Sequence, residues 1–386
     1  MSHGPPDVLI MGATGRAAAR AASRAGLSVA CADYFADLDL LELGPAARID
    51  PGQAESQFTA FALTHPRLPW LYTGGFENRR ALVDLISRDR PLWGASGGVL
   101  ERVRDPFQVA RVFERAGIAH PRVRPSPDGL PRDGSWLMKP LASGGGRDVA
   151  PLVEEQDSPS EGFSYQERIA GRLISALYLG AGDRAVLVAA SRQWEGAPGA
   201  PFGYRGSLGP IAIGPRLAVR LTSIGQVLAR SFAIPGWFGV DFMLAQGVPW
   251  PLEINPRYTA SIEVHELATG VALLPHHRRA CEAGTLPEPC VFPITERKIV
   301  VAKRIVYASR RLVAPVIDRA EYQPLGSNRP ATIADVPAAG TVFQSGEPVL
   351  TVLARARTAR ECKARAIDLE RLWTERLETD APRPSG

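Results

Sequence analysis

The residues with the clearest chemical pattern lie around a predicted strand that ends near Asn255. Glu253, Asn255 and Arg257 alternate along the chain, and alternate side chains of a strand share one face. Asp241 lies on the preceding strand of a predicted hairpin, from which it can reach the same space. Two carboxylates and an amide oxygen are ligands that Mg²⁺ prefers, and a neighbouring arginine can hold a transferring phosphoryl group. The pattern therefore predicts a site for Mg²⁺ and phosphate, with a solvated hairpin end as the alternative.

A lysine followed by a glycine-rich segment forms the second candidate site. Lys139 ends a short predicted strand, and Gly144, Gly145 and Gly146 follow it. Glycines allow backbone N–H groups to approach phosphates, and lysine supplies a point charge to phosphate oxygens. The lysine precedes the glycines, so this is not a Walker A loop. Taken alone, the segment fits either a phosphate-binding loop or an ordinary surface turn.

The third segment lies at the end of a predicted strand that crosses between two lobes. Gln166 and neighbouring backbone groups could contact an adenine edge. A half-exposed strand end is the alternative for this segment.

The segments around these residues alternate between short apolar strands and helices. This alternation predicts an α/β protein whose N-terminal part is a parallel sheet covered on both faces. The predicted strands are Val8–Met11, Leu27–Ala32, Trp70–Thr73, Trp136–Lys139, Ser164–Gln166, Leu173–Leu179, Ala185–Arg192, Trp237–Leu244, Trp250–Ile254, Ile299–Tyr307 and Val349–Leu353. The predicted helices are Ala17–Ala25, Glu77–Ser87, Asp105–Gly117, Pro215–Phe232 and Ala359–Leu377, and the Gly/Pro-rich segment Glu195–Gly214 is predicted to be a loop.

Weaker candidates for binding a substrate lie outside these three segments. Gly12 and Gly15 belong to a tight turn that has part of a dinucleotide-binding pattern, so a bound NAD(P) is one alternative. Glu77 and Asn78 lie at the sheet edge where ligands bind in open α/β sheets, unless they cap the following helix. Arg205, in the predicted loop, is a candidate for contacting a substrate carboxylate.

Composition excludes several classes of protein. The chain has 386 residues, of which 45% are hydrophobic and 22% charged, as in an ordinary globular protein of two or three domains. The net charge of +5 is spread along the chain, without a nucleic-acid-binding motif. No apolar run approaches the roughly 20 residues that cross a bilayer, and no signal peptide is evident. We therefore expect a cytoplasmic protein with no membrane or nucleic-acid partner, and its four scattered cysteines are expected to be reduced thiols.

Together, and in this order, the three segments resemble the ATP-grasp superfamily, which includes biotin carboxylase and D-alanine–D-alanine ligase. The stretches Thr73–Asn78 and Val103–Pro106 are most similar to a subgroup of predicted ATP-grasp carboligases. The resemblance implies a Rossmann-like domain over residues 1–103 and an ATP-grasp domain of two α+β lobes over 104–295. It further implies a biotin-carboxylase-like mixed region over 296–379 and a disordered tail over 380–386.

The resemblance also implies roles for individual residues. Lys139 would bind the α- and β-phosphates and Arg257 would stabilise the transferring phosphoryl group. The glycines Gly144, Gly145 and Gly146 would close over the phosphates, Gln166, Arg168 and Ile169 would hold adenine, and Asp241, Glu253 and Asn255 would coordinate Mg²⁺. The chain departs from the family pattern at three places. Pro106 replaces a common nucleotide-binding lysine, for which Arg104 is expected to substitute, and Leu173 and Ile174 lie where a ribose-binding acid is often found. Thr259–Ser261 replaces the Gln-Val-Glu run that supplies the bicarbonate base of biotin carboxylases, which disfavours biotin carboxylation.

The resemblance therefore implies an enzyme that uses ATP and Mg²⁺ to join a carboxylate to an amine through an acyl-phosphate. The alternatives are carboxylation of a small molecule or carboxylate phosphorylation at the same site, and a non-catalytic nucleotide-binding protein. The expected partners are a small carboxylate and a small amine, and the chain is expected to be a monomer or a homodimer.

Overall fold

The computed structural model describes residues 4–154, 159, 161–288, 299–322 and 332–379. Over these ranges the chain forms a four-stranded parallel sheet, antiparallel sheets of four and eight strands and a two-stranded sheet, with helices packed against them. The predicted α/β class is confirmed.

The N-terminal part is a four-stranded parallel sheet in the order β3-β2-β1-β4. Its elements are β1 Val8–Met11, α1 Arg16–Arg24, β2 Val29–Asp33, α2 Leu38–Leu41, β3 Ala46–Arg48, α3 Ala54–Leu63, β4 Trp70–Tyr72, α4 Arg80–Ile86 and α5 Gly97–Val103. The central strands are fully buried, as expected for short continuous apolar runs covered on both faces. The carboxyl ends of β1, β2 and β4 consequently meet at one edge, which faces the rest of the chain.

A small antiparallel sheet follows, in the order β5-β8-β6-β7. Its elements are α6 Pro106–Arg115, β5 Val123–Arg124, β6 Asp133–Pro140, β7 Ala150–Val153 and β8 Phe163–Glu167. Trp136, Met138, Leu152 and Tyr165 form its core. This sheet carries the predicted lysine and glycine segment.

The largest layer is an antiparallel sheet in the order β13-β12-β9-β10-β11-β14-β18-β16. Its first part comprises β9 Arg172–Ala181, β10 Arg184–Ala197, β11 Ala200–Gly209, α7 Pro215–Phe232, β12 Gly236–Ala245, β13 Val248–Asn255, α8 Ala260–Thr269 and α9 Leu274–Ala283. The second part comprises β14 Val300–Tyr307, β15 Leu312–Val313, α10 Arg319–Tyr322, β16 Ile333–Ala334, β17 Val342–Phe343, β18 Pro348–Ala356 and α11 Ala359–Thr379. The sheet includes strands from both sides of the predicted boundary between residues 295 and 296, because β11 pairs with β14. The predicted tail 380–386 lies outside the described residues.

The prediction of a loop over Glu195–Gly214 is wrong. β10 continues to Ala197, and β11 pairs with β10 on one side and β14 on the other. Gly206 is needed inside β11 because the neighbouring strand leaves no room for a side chain. A Cβ at Gly206 would lie 2.2 Å from the Lys303 carbonyl oxygen. Glycines that indicate a loop in the sequence here permit close packing of strands.

A smaller correction concerns the predicted helix Glu77–Ser87. Glu77 and Asn78 belong to a short 3₁₀ turn over Phe76–Asn78, and α4 begins only at Arg80. Gly75, with φ of 97°, lies between β4 and this turn and redirects the chain. The two residues therefore precede the helix that they were expected to start.

Candidate active site

A cavity of about 730 Å³ lies between the four-stranded and the eight-stranded antiparallel sheets. This volume is typical of a site for a nucleotide-sized ligand. Ten of the predicted site residues line it: Lys139, Gly145, Gly146, Gln166, Arg168, Ile169, Asp241, Glu253, Asn255 and Arg257. The structure thus brings the three sequence segments to one place.

The predicted metal ligands lie side by side on β12 and β13. Asp241 and Glu253 are direct cross-strand partners, so their side chains emerge on the same face. Asn255 donates from Nδ2 to Asp241 Oδ2 at 3.2 Å, and Gln193 donates to Asp241 Oδ1 at 2.6 Å. Among the described residues, no group of three or more His, Cys, Asp or Glu side chains surrounds a possible metal position. Any ion here would therefore bind two carboxylates and an amide, with the remaining positions left to ligand oxygens, which suits Mg²⁺ with phosphates.

The two carboxylates have different electrostatic surroundings. Burial, together with the nearby Glu253 charge, raises the pKa of Asp241 to about 6. Burial also acts to raise the pKa of Glu253, but Arg104 and Lys139 outweigh it and hold that pKa below its usual value. Glu253 is consequently ionised at neutral pH and forms the fixed negative centre of the site.

Two cations lie on the phosphate side of these carboxylates. Lys139 donates to Gln166 Oε1 at 3.1 Å, and burial lowers the pKa of Lys139. Arg104 pairs with Glu253 and donates to the Ser143 carbonyl at 2.6 Å. Its Nε is buried and has no partner among the described residues. Arg104, which was expected to substitute for a lysine at position 106, therefore lies beside Glu253 with one N–H that no described residue accepts.

Arg257 is held by a residue of the N-terminal part. Its Nε donates to Glu77 Oε1 at 2.7 Å, and its Nη2 donates to Asn255 Oδ1 at 3.2 Å. Asn78, next to Glu77, accepts a hydrogen bond from Arg104 at 3.2 Å. Glu77 and Asn78 were predicted as substrate residues, and in this structure their side chains contact Arg257 and Arg104.

The glycine segment approaches the cavity from the small sheet. Tyr204 N donates to the Gly145 carbonyl at 2.8 Å. A Cβ at Gly146 would lie 2.1 Å from the Phe202 carbonyl oxygen, so only glycine fits there. The loop is therefore packed against β11, with Gly144 close to Glu77.

The predicted adenine segment also lines the cavity. Gln166 Nε2 donates to the Leu252 carbonyl at 3.2 Å, which ties β8 to β13. The Arg168 guanidinium lies over the Phe202 ring at 5.7 Å, and Ile169 lines the same end. This combination of apolar surface, ring faces and backbone groups is suited to a flat base.

Three predicted substrate residues lie elsewhere. Arg205 pairs with Glu370 of α11 at 2.8 Å and does not line the cavity. Its prediction as a carboxylate contact depended on the loop that is in fact β11, and the strand directs it to α11. Gly12 and Gly15 form the turn after β1, where Gly15 N donates to Asp33 Oδ2 at 2.7 Å.

Sequence reasoning missed the part of the cavity wall that β10 and β11 provide. Gln193, Trp194, Glu195, Phe202, Tyr204 and Ser207 all line it. The signal available was the apolar run of β10 leading into aromatic residues at intervals of two, which the glycines obscured.

Comparisons with known proteins agree with this geometry. Residues 103–261 match the sequence profile of the ATP-grasp domain. An uncharacterized protein of Methanocaldococcus jannaschii is 28% identical over 155 residues, which are 39% of this chain and only 34% of that relative.

Solved structures match over almost the whole chain. The biotin carboxylase domain of 2-oxoglutarate carboxylase from Hydrogenobacter thermophilus, in complex with MgADP, ADP and bicarbonate, superimposes with a TM-score of 0.69 and 13% identity. That match covers 95% of this chain and 90% of the domain. L-amino acid ligase from Bacillus licheniformis gives a TM-score of 0.66 and 12% identity over 99% and 98% of the two chains.

Residues 103–261 belong to the ATP-grasp domain family, and the chain has a biotin-carboxylase-like fold. ATP and Mg²⁺ are the cofactors of this class, and the two carboxylates, the amide and the cations described above fit them. No helix in the described ranges is long and apolar enough to cross a membrane.

Proposed function

We propose that the protein is a carboxylate–amine ligase that activates a small carboxylate as an acyl-phosphate and transfers the acyl group to an amine. The observation that carries the proposal is the arrangement around Glu253. Arg104 and Arg257 flank the predicted ligands Asp241, Glu253 and Asn255, and Lys139 lies on the same side. Such a set stabilises negative charge on a phosphoryl group and on the oxygen that it joins.

The cofactors and the chain have separate tasks in this proposal. Bound Mg²⁺–ATP supplies the phosphoryl group and neutralises much of its charge. Arg257, oriented by Glu77, would hold the carboxylate and the developing negative charge. Lys139 and Arg104 would fix the phosphates, and the glycine segment over Gly144–Gly146 would exclude water that otherwise hydrolyses the acyl-phosphate. The amine nitrogen then forms the new bond to the acyl carbon, the carbon–oxygen bond to phosphate breaks, and phosphate leaves with that electron pair and takes up the amine proton.

The state of Glu263 favours an amine over bicarbonate chemistry. Glu263 is the acid in the first turn of α8, just after Arg257. Arg16 donates to it at 3.1 Å through Nη2 and Lys303 donates to it at 2.8 Å. Burial acts to raise the pKa of Glu263, but these two cations lower it well below its usual value. A carboxylate bound in this way is a poor general base, which disfavours a bicarbonate reaction that depends on a carboxylate base at this position.

The test is a screen of small carboxylates for phosphate release from Mg²⁺–ATP, with hydroxylamine as the capturing amine. We expect one class of acid to give phosphate and hydroxamate in equal amounts. Release that requires bicarbonate and no amine would instead support a carboxylase. Nucleotide binding without turnover over the whole panel would contradict an enzymatic role.

A further inference from the structure

A second group of acids lies at the carboxyl edge of the parallel sheet, outside the cavity described above. The acidic cluster consists of Asp33 at the end of β2, Asp37 and Asp39 at α2, and Asp335 after β16. Asp33, Asp37 and Asp39 are buried and Asp335 is half-buried. Ligands of open parallel sheets bind at this edge.

Three of the four carboxylates have partners in the protein. Asp33 accepts backbone hydrogen bonds from Gly15, Phe35 and Ala36. Asp39 accepts backbone hydrogen bonds from Asp335 and Val336, each at 3.0 Å. Asp335 accepts from Arg16 Nε at 2.8 Å. These contacts explain why the three acids are tolerated in a buried position.

No hydrogen bond of this kind explains why the Asp37 carboxylate is tolerated in a buried position. Its residue is only 6% exposed, and among the described residues no hydrogen bond or ion pair reaches its carboxylate. It stands at the N-cap position of α2, where an aspartate normally caps the helix, yet its side chain makes no capping bond. Burial first, and then the charges of Asp335, Asp39 and Asp33, raise its pKa well above the usual value. The Asp37 carboxylate therefore lies near three groups of its own charge.

The charges of this region do not balance within the described residues. With Glu263 the region contains five carboxylates, whereas its ion pairs involve two cations, Arg16 and Lys303. Arg20 lies near Asp39 and Glu263 but forms no ion pair in the part of the chain that the structure describes. An unpaired buried carboxylate is costly, so a site of this kind favours either protonation or a bound cation.

The geometry favours an organic cation over a metal ion. The acids of this region are not arranged around a common metal position, since no such group of three or more occurs in the described ranges. Asp37 instead offers a carboxylate to N–H donors, which suits an ammonium group.

The acidic cluster is connected to Arg257 by two glycine turns. The Arg257 guanidinium packs on Gly74, where a Cβ would lie 3.7 Å from its Cζ. The Gly74 carbonyl accepts a hydrogen bond from Ala13 at 2.7 Å, and Gly15 in the same turn donates to Asp33. Backbone hydrogen bonds of these two turns thus link the cluster to the segment on which Arg257 packs.

We propose that the acidic cluster binds a second, cationic nitrogen of the amine substrate, so that the acceptor is a diamine or a similarly dibasic amine. This inference rests on the proposed function, because it assigns one nitrogen to the acidic cluster and the other to the acyl-phosphate near Arg257. Electrostatic recognition of this kind would select a dibasic amine over a monoamine of the same length.

The test compares diaminobutane with butylamine, both fully protonated at neutral pH, by calorimetric titration of the full chain with Mg²⁺–ADP present. We expect the wild type to bind diaminobutane at least about tenfold more tightly, equal to about 1.4 kcal/mol. Asp37→Asn, which keeps the size of the side chain and removes its charge, is expected to abolish this preference. Asp183→Asn, in the exposed turn between β9 and β10, is the control and should retain it.

Two results would overturn the proposal: equal binding of the two amines by the wild type, or an unchanged preference in folded Asp37→Asn. Asp37→Ser replaces Asp37→Asn if thermal unfolding shows that the latter is not folded. The hydroxylamine assay separates this proposal from the proposed function. Acid-dependent hydroxamate formation without a diamine preference would leave the ligase standing and remove the cationic site. A diamine preference without turnover of any acid would retain the site and remove the ligase.

Discussion

The ion pair between Glu77 and Arg257 predicts a specific response to Glu77→Gln. The two groups are 2.7 Å apart, and their side chains are only 1% and 15% exposed. Glutamine can keep an oxygen acceptor toward Arg257 and place its amide nitrogen where Glu77 Oε2, buried and without a partner in the described residues, now lies. The substitution therefore removes the charge of the pair while keeping its shape.

The expected magnitude follows from the loss of one charge-assisted hydrogen bond. Such a bond contributes about 1.5–3 kcal/mol, more than a neutral one. If Arg257 is used in the transition state, this loss lowers the rate of phosphate release by about 10- to 150-fold. The affinity for Mg²⁺–ATP should change much less, because Lys139 and Arg104 are expected to hold the phosphates.

A double-mutant cycle with Arg257→Lys tests whether Glu77 acts through Arg257. In the Arg257→Lys background, Glu77→Gln should reduce the residual phosphate release by less than about threefold, because coupled residues are not additive. The matched variant is Asn78→Ala, because Asn78 contacts Arg104 and not Arg257. Its effect on phosphate release should be additive with that of Arg257→Lys. Full additivity of the Glu77 and Arg257 changes would refute the positioning role.

Two further predictions concern pH and the glycine loop. Burial lowers the pKa of His277 to about 4, below an unfolded value of about 6.5, so its contribution to stability is complete above that value and is lost as the pH falls. Between pH 7 and pH 5 we expect the free energy of unfolding, measured by chemical denaturation, to fall by about 2 kcal/mol. His277→Asn should remove this pH dependence, and a variant with the same pH dependence as the wild type would contradict the role of His277. Gly145 and Gly146 both have φ near +70°, but a Cβ meets Phe202 only at Gly146. Gly146→Ala should therefore weaken Mg²⁺–ATP binding in calorimetry several-fold more than Gly145→Ala, and equal effects would show that the packing on β11 is unimportant.

Local sequence patterns predicted the parts of the site that depend on neighbouring residues. Glu253 and Asn255 alternate on one strand, and the turn at Gln246 and Gly247 fixes their register with Asp241. The positive φ of both turn residues suits a tight hairpin. Because register follows from the turn, the grouping of these three side chains could be predicted before the structure.

The contacts between distant segments could not be predicted in the same way. Glu77 and Arg257 are separated by 180 positions, and Arg205 and Glu370 by 165. No local pattern indicates which arginine pairs with which acid. The strand β11 was missed for a related reason, since Gly206 is explained only by the close approach of β14. The contacts that Glu77, Asn78 and Arg205 make within the chain consequently could not be predicted from the sequence.

The most direct test of the central claim is the thermal stability of the wild type and Glu253→Gln with and without Mg²⁺–ATP. At about 100 times its dissociation constant, a ligand of the folded state adds about 2.7 kcal/mol of stability. We predict this gain for the wild type and for Glu361→Gln, an exposed control in an i,i+4 pair on α11. Glu253→Gln should lose the part of the gain that depends on Mg²⁺. A wild type that Mg²⁺–ATP does not stabilise, or a Glu253→Gln variant that gains as much as the wild type, would contradict the account.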